Sequence, residues 1–179
     1  MLSRDTFNLI PIRDKSKIPL IAWAEFKNKK YDGDIKTTNY AVICGEVSHC
    51  VVIDIDSPEL TPEIFKGWDD LKKKTLVVKT GSGGYHIYTK PKDGKYPPKM
   101  PLTNDRGQHI DIQSTGSYVL GPGSIHPNGN HYEIISTTTE VTEMDITNFL
   151  IHLKKWGFNT NPLNGTGICG NSDAGHNDR

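Results

Sequence analysis

The chain has 179 residues, 35% of them hydrophobic and 23% charged, with 21 basic and 21 acidic side chains and a net charge of zero. That length suits one domain with a substantial core, or one domain and a tail; no apolar run approaches the roughly 20 residues of a membrane helix, no cationic-then-apolar leader opens the chain, and the balanced charge argues mildly against a strongly basic nucleic-acid binder. The cysteines, Cys44, Cys50 and Cys169, make no CxxC pair and no disulfide framework, so a reducing cytoplasm is the expected compartment.

In chain order, Phe7 to Ile12 reads as a first strand, and Pro19 as the opening residue of a short helix through Trp23 and Phe26. Tyr40–Cys44 and Cys50–Ile55 are apolar runs joined by residues 45–49, the pattern of a hairpin. Thr61 is placed to cap a helix with Pro62 at its first position. Ile64, Phe65, Trp68 and Leu71 continue the helical spacing up to the lysines at 72–74. Thr75–Lys79 and Tyr85–Thr89 are strands around a turn containing Gly81, Gly83 and Gly84, and a lysine-rich loop fills residues 90–107. His109–Gln113 alternates, with Ile110 and Ile112 on one face and His109, Asp111 and Gln113 on the other. Ser117–Leu120 and His131–Ile135 are short strands, Met144–Trp156 is an amphipathic helix, and from Gly157 the chain turns polar and rich in Gly and Asn. Strands and helices mix without an internal repeat, so the expected class is α+β (mixed α/β).

Three segments carry chemistry. On a strand Val51–Asp56, Val52, Asp54 and Asp56 share a face, with the two carboxylates about 6.5–7 Å apart along it. Like charges so placed repel unless a cation bridges them, and hard oxygen donors suit Mg²⁺ or Mn²⁺. Gly81-Ser82-Gly83-Gly84 lets backbone approach an anion closely, with Lys79 before the turn and His86 beyond it. The competing reading is an ordinary hairpin closure with a satisfied histidine. Asp111 offers a third carboxylate, or else is a solvent-facing residue of an edge strand. The lysines at 72–74 and in the 90–107 loop read either as solvated surface or as local phosphate contacts. Serine hydrolysis through Ser82 or Ser124 lacks a base–acid partner, and a zinc site at Cys44 and Cys50 lacks further ligands.

Taken in order, these segments resemble the motifs of the bifunctional primase–polymerase (prim-pol) family of the archaeo-eukaryotic primase superfamily. Asp54-Ile55-Asp56 is similar to its acidic first motif, Gly83-Gly84-Tyr85-His86-Ile87-Tyr88 to its histidine-ended second, and His109-Ile110-Asp111-Ile112 to its third. Gly116–Ser124, His126-Pro127-Asn128-Gly129 and the upstream Lys17-Ile18-Pro19 with Trp23 extend the likeness over roughly residues 8–135. Where relatives often have serine two residues before the histidine, this chain has Gly84. Residues 90–108 hold no cysteine, so no zinc stem is expected.

The resemblance implies a prim-pol catalytic domain at 1–157 and a polar tail or linker at 158–179, leading toward further domains of a larger replication protein. It implies two fused lobes, an N-terminal α/β lobe and a palm/RRM-like lobe, with the active site in the cleft. It implies template-directed nucleotidyl transfer from NTPs or dNTPs on a single-stranded DNA template and primer, in replication of a plasmid, phage or CRISPR-associated element. Asp54, Asp56 and Asp111 would hold two Mg²⁺ or Mn²⁺ ions, His86 would join them as a catalytic residue, and Lys79, Ser82, Gly83, Gly84, His86, Ser124 and His126 would bind the nucleotide. The rival expectation is a non-catalytic nucleotide- or DNA-binding module. A palm-fold nucleotidyl cyclase, acting on one nucleotide without a template, is a third.

Overall fold

The structure is a computed structural model and describes residues 1–160, so nearly all of the tail expected at 158–179 lies outside the described residues. In chain order the strands are β1 (Leu9–Pro11), β2 (Tyr40–Ile43), β3 (Val51–Ile55), β4 (Val77–Lys79), β5 (Tyr85–Pro91), β6 (Met100–Thr103), β7 (His109–Gln113), β8 (Tyr118–Leu120), β9 (Glu133–Ile134) and β10 (Thr142–Met144). The helices are α1 (Thr61–Ile64), α2 (Trp68–Lys74) and α3 (Ile146–Leu153), with short 3₁₀ turns between elements. The class is α+β, sheet-rich with few helices, as the alternation of patterns leads one to expect.

Two sheets form. The smaller runs β1-β2-β8, and the larger runs β6-β7-β3-β5-β4-β9, with β10 adding in parallel beside the second half of β5. The pleat sorts the larger sheet. Val51, Ile53 and Ile55 of β3, Ile87 of β5 and Ile110 and Ile112 of β7 turn to one face, where Leu60, Ile64, Phe65, Phe149 and Leu153 cover them. Val52, Val78 and Tyr88 turn to the other face and pack with Leu9, Tyr40, Val42 and Tyr118 of the smaller sheet region. The larger sheet is thus buried on both faces. Each fully covered aliphatic side chain contributes about 1.5–3 kcal/mol of transfer free energy. Any polar residue on the second face is therefore sealed between layers.

Several expected elements change. β2 and β3 are not a hairpin: β2 pairs with β1 and β8, β3 with β5 and β7. Gly45 (φ 100°) and Cys50 exchange two backbone hydrogen bonds, at 2.8 and 3.2 Å, and the strands then part into different sheets. Apart from Asp54, both runs are apolar on both faces, which is what buried strands in stacked sheets require. The helix expected after Pro19 is only a 3₁₀ turn, Ala24–Lys27, because Pro19 bridges Ile12 in a tight hairpin. The helix expected from Thr61 breaks into α1 and α2 at Gly67 (φ 75°). In α2, Asp69 and Asp70 pair with Lys72 and Lys73, at 2.8 and 3.6 Å, and Lys72 holds the Asp69 carboxyl below its ordinary range. Those lysines are solvated helix surface. β6, hidden in the expected loop, is an edge strand that tolerates Pro101. β10 takes residues expected before and within the last helix, and α3 begins only after Asp145, whose carboxylate accepts the Asn148 N–H at 3.0 Å.

Candidate active site

The register of three neighbouring strands builds the site. Asp54 of β3 lies directly opposite Asp111 of β7 on one side and His86 of β5 on the other. Residues so paired have Cβ atoms about 4.5–5.5 Å apart and share a face. One row therefore reads Asp111–Asp54–His86, on the face covered by the smaller sheet. Asp54 and His86 are fully buried and Asp111 is 1% exposed. The His86 Nε2 stands 3.4 Å from Asp54 Oδ1, and Gln113, one pleat deeper on β7, donates from Nε2 to Asp54 Oδ2 at 3.5 Å. Asp56 lies just past the end of β3 at the half-buried rim, its N–H donating to the His109 carbonyl at 3.2 Å.

Two carboxylates opposite each other inside a protein are costly unless a cation or proton balances them. The hard oxygen donors are right in kind for a divalent ion. Among the described residues, no three His, Cys, Asp or Glu side chains are grouped to hold a metal ion as they stand. The strands bring Asp54 and Asp111 together, with Asp56 farther out along the same face.

The glycine turn closes on Thr80. Gly83 N–H donates to the Thr80 carbonyl at 3.0 Å and Gly84 N–H to Thr80 Oγ1 at 3.0 Å, so both donors are used inside the turn. Gly84 is glycine because a Cβ there would stand 2.2 Å from the Ile55 carbonyl oxygen, where β5 leaves the turn against the end of β3. Ser82 is exposed and its hydroxyl meets Thr80 Oγ1 at 3.1 Å.

Two other expected nucleotide contacts fall elsewhere. Lys79 pairs with Tyr85 while Val78 pairs with His86, so the pleat turns Lys79 to the opposite face of the sheet, where it is exposed. Ser124 is fully buried, and its hydroxyl donates to the Tyr40 carbonyl at 3.2 Å and accepts from the Tyr40 N–H at 3.1 Å. Ser124 ties its loop to β2. The lysine-rich loop begins beyond Pro91, at the end of β5 away from His86.

His126 does reach the turn. A Cβ on Gly81 would stand 2.2 Å from the His126 Cβ, and Asn128 and Asn130 each donate from Nδ2 to the Gly81 carbonyl at 3.0 Å. Asn128 N–H donates to His126 Nδ1 at 3.1 Å, so in the neutral ring the proton sits on Nε2.

Sequence reasoning missed three residues. Alternation puts Gln113 on the right face but carries no signal for its contact with Asp54. Asn39 carries no local signal, yet it is fully buried and holds Ile125 by two hydrogen bonds of 2.8 Å. Tyr132 is 1% exposed, with its ring 5.9 Å from His86 and 6.2 Å from His126, and its hydroxyl makes no hydrogen bond among the described residues. An unpaired buried hydroxyl costs about 1–3 kcal/mol. Tyr132→Phe is therefore expected to raise the thermal midpoint of the free protein; a clear fall in a melting scan would show that the hydroxyl supports the fold.

A family model described as bifunctional DNA primase/polymerase, N-terminal, matches residues 1–146. The chain belongs to the Prim-Pol family. The matched span contains the whole Asp111–Asp54–His86 row, the glycine turn and the His126 loop. No curated protein matches the chain. Among the described residues no helix is long and apolar enough to cross a membrane.

Proposed function

We propose that this prim-pol domain is a nucleotidyltransferase that extends or starts a strand on a single-stranded DNA template, using NTPs or dNTPs, in replication of a plasmid, phage or CRISPR-associated element. The observation that carries this reading is the row Asp111–Asp54–His86, set in register by three strands within a chain of this family. The smaller sheet with its hairpin and the helix-backed larger sheet serve as the two lobes. Further domains of a larger replication protein would follow the tail.

Asp54 and Asp111, with Asp56 at the rim, would hold Mg²⁺ or Mn²⁺, whose chemistry is to activate the attacking 3′-hydroxyl and neutralise charge on the transferred phosphate. The residues themselves position. His86 fixes the Asp54 carboxylate on one side and Gln113 on the other, which keeps the donor oxygens in one geometry. His86 also serves the triphosphate, the exposed Ser82 hydroxyl acts as a further donor at the mouth, and the half-buried His126, its Nε2 sealed from solvent, backs the turn. His86→Ala is expected to raise the nucleotide KM about tenfold, about 1.4 kcal/mol, with a smaller fall in kcat. Steady-state kinetics at varied nucleotide check this; an unchanged KM would remove His86 from the nucleotide site.

The burial of the row favours one second reading, a module that binds nucleotide or DNA without turnover. Template-directed transfer requires that Asp54 and Asp111 become accessible to metal and substrate. Titration with dNTP and Mn²⁺ separates the two, since a module binds without releasing pyrophosphate.

A further inference from the structure

The hairpin at residues 12–19 presents an unusual surface. Ile12 pairs with Pro19, Arg13 N–H donates to the Ile18 carbonyl at 3.0 Å, and Lys15 sits near the tip at φ 53°. Beyond the pairing, Ile18 is 56% exposed and Leu20 50% exposed, two of the few large apolar side chains left in water. Arg13 and Lys15 are exposed beside them, and no salt bridge engages either among the described residues. The one acid inside the hairpin, Asp14, accepts the Asn39 N–H on Oδ1 at 2.9 Å and keeps its charge, against the cations Arg13, Lys15 and Lys17 of the same hairpin. Next along the chain, Trp23 sits edge-on to Tyr118 at 4.9 Å, with Lys27 Nζ 4.7 Å from its ring. On a chain of zero net charge this is a local concentration of cations around apolar side chains.

The hairpin is also fixed to the site. Tyr118 donates its hydroxyl to the Lys17 carbonyl at 2.9 Å, and Asn39 donates from Nδ2 to both the Ser16 carbonyl, at 3.2 Å, and the Ile125 carbonyl, at 2.8 Å. Ile125 precedes His126, whose loop is docked on Gly81 through Asn128 and Asn130. One run of direct contacts thus leads from the hairpin to the turn that precedes His86. Rigid presentation of a contact surface lowers the ordering cost of binding.

Deepening the nucleotidyl-transfer reading, on which it rests, we propose that this hairpin and Trp23 are the docking surface for the single-stranded template. Cations contact phosphates and release counterions, while exposed apolar side chains pack against unstacked bases, which every sequence offers. A protein partner or a second copy would be met as well by Ile18 and Leu20, but neither explains the unpaired Arg13 and Lys15 as directly as a polyanion does.

Binding of a fluorescein-labelled oligothymidylate of about 20 nucleotides, followed by anisotropy over a salt series, tests this. Ile18→Ser with Leu20→Ser should weaken binding at least about tenfold, with the melting temperature unchanged because little buried surface is lost. Arg13→Gln with Lys15→Gln should weaken it and flatten the log–log salt slope by about 1.4. Ile151→Ser, equally exposed on α3, should change nothing. Affinity within about twofold of wild type in both double variants overturns the template surface. So does a wild-type dimer that Ile18→Ser/Leu20→Ser converts to monomer without loss of DNA binding, which would make the hairpin a contact between copies. If the wild type extends a primer while these variants bind normally, only the hairpin assignment falls. If the wild type neither binds nor extends, the nucleotidyl-transfer reading falls with it.

Discussion

Asp111→Asn should cut nucleotide incorporation by at least about a thousandfold, about 4 kcal/mol of transition-state stabilisation, and leave the protein folded. Asp54→Asn should do the same. The two carboxylates face each other across β3 and β7 in a buried row. Removing either charge removes one of the two oxygen donors brought closest together. The stability effect should run the other way for Asp111. It stands beside a like charge, so the amide relieves repulsion and the thermal midpoint should hold or rise. At Asp54 the gain is smaller, since the same substitution weakens the contact with His86 at 3.4 Å. Loss of activity together with a preserved melting curve identifies the row as functional. Loss of both would mean that the carboxylates serve the fold.

The largest expected stability effect is at Gly84. Its Cβ would stand 2.2 Å from the Ile55 carbonyl oxygen, 3.2 Å from the Ile55 carbonyl carbon and 3.3 Å from the Asp56 Cα. All three are backbone atoms at the end of β3, so no side chain can swing away. Gly84→Ala must push β5 off β3 between His86 and Asp56, and a cost on the order of 3 kcal/mol is expected, about 6–12 °C in melting temperature. Gly81→Ala meets the His126 Cβ at 2.2 Å, a loop side chain rather than the backbone of a central strand, so its cost should be smaller. Gly83→Ala has open space and only its φ of 97° to satisfy, about 1 kcal/mol. The order Gly84, Gly81, Gly83 in thermal scans checks the account. A Gly83 variant as damaged as Gly84 would show that close backbone packing does not set the order.

Much of this site was legible from alternation. The pattern His109-Ile110-Asp111-Ile112-Gln113 assigns Asp111 to a face, and β7 is that strand. Asp54 and His86 follow from the same rule. What alternation cannot provide is which strands are neighbours. The row exists because β3 lies between β5 and β7, while a local reading joins β2 and β3 into a hairpin. Lys79 shows the limit from the other side: one residue from Val78, it faces away from His86. Glycines were ambiguous for a physical reason. Close backbone approach to a ligand and close approach to another strand demand the same residue, and Gly84 lies against the end of β3. Ser124, Asn39 and Tyr132 gain their roles from partners far along the chain, as in the bonds of Ser124 to Tyr40, and no local pattern reports those.

The most direct test is incorporation of labelled dNTPs and NTPs on a single-stranded DNA template, with and without primer, by the wild type and Asp111→Asn over a Mn²⁺ titration. Template-dependent, metal-dependent product from the wild type and at least about a thousandfold less from Asp111→Asn is the expected result. Nucleotide binding without product from the wild type, or full activity in Asp111→Asn, would contradict it.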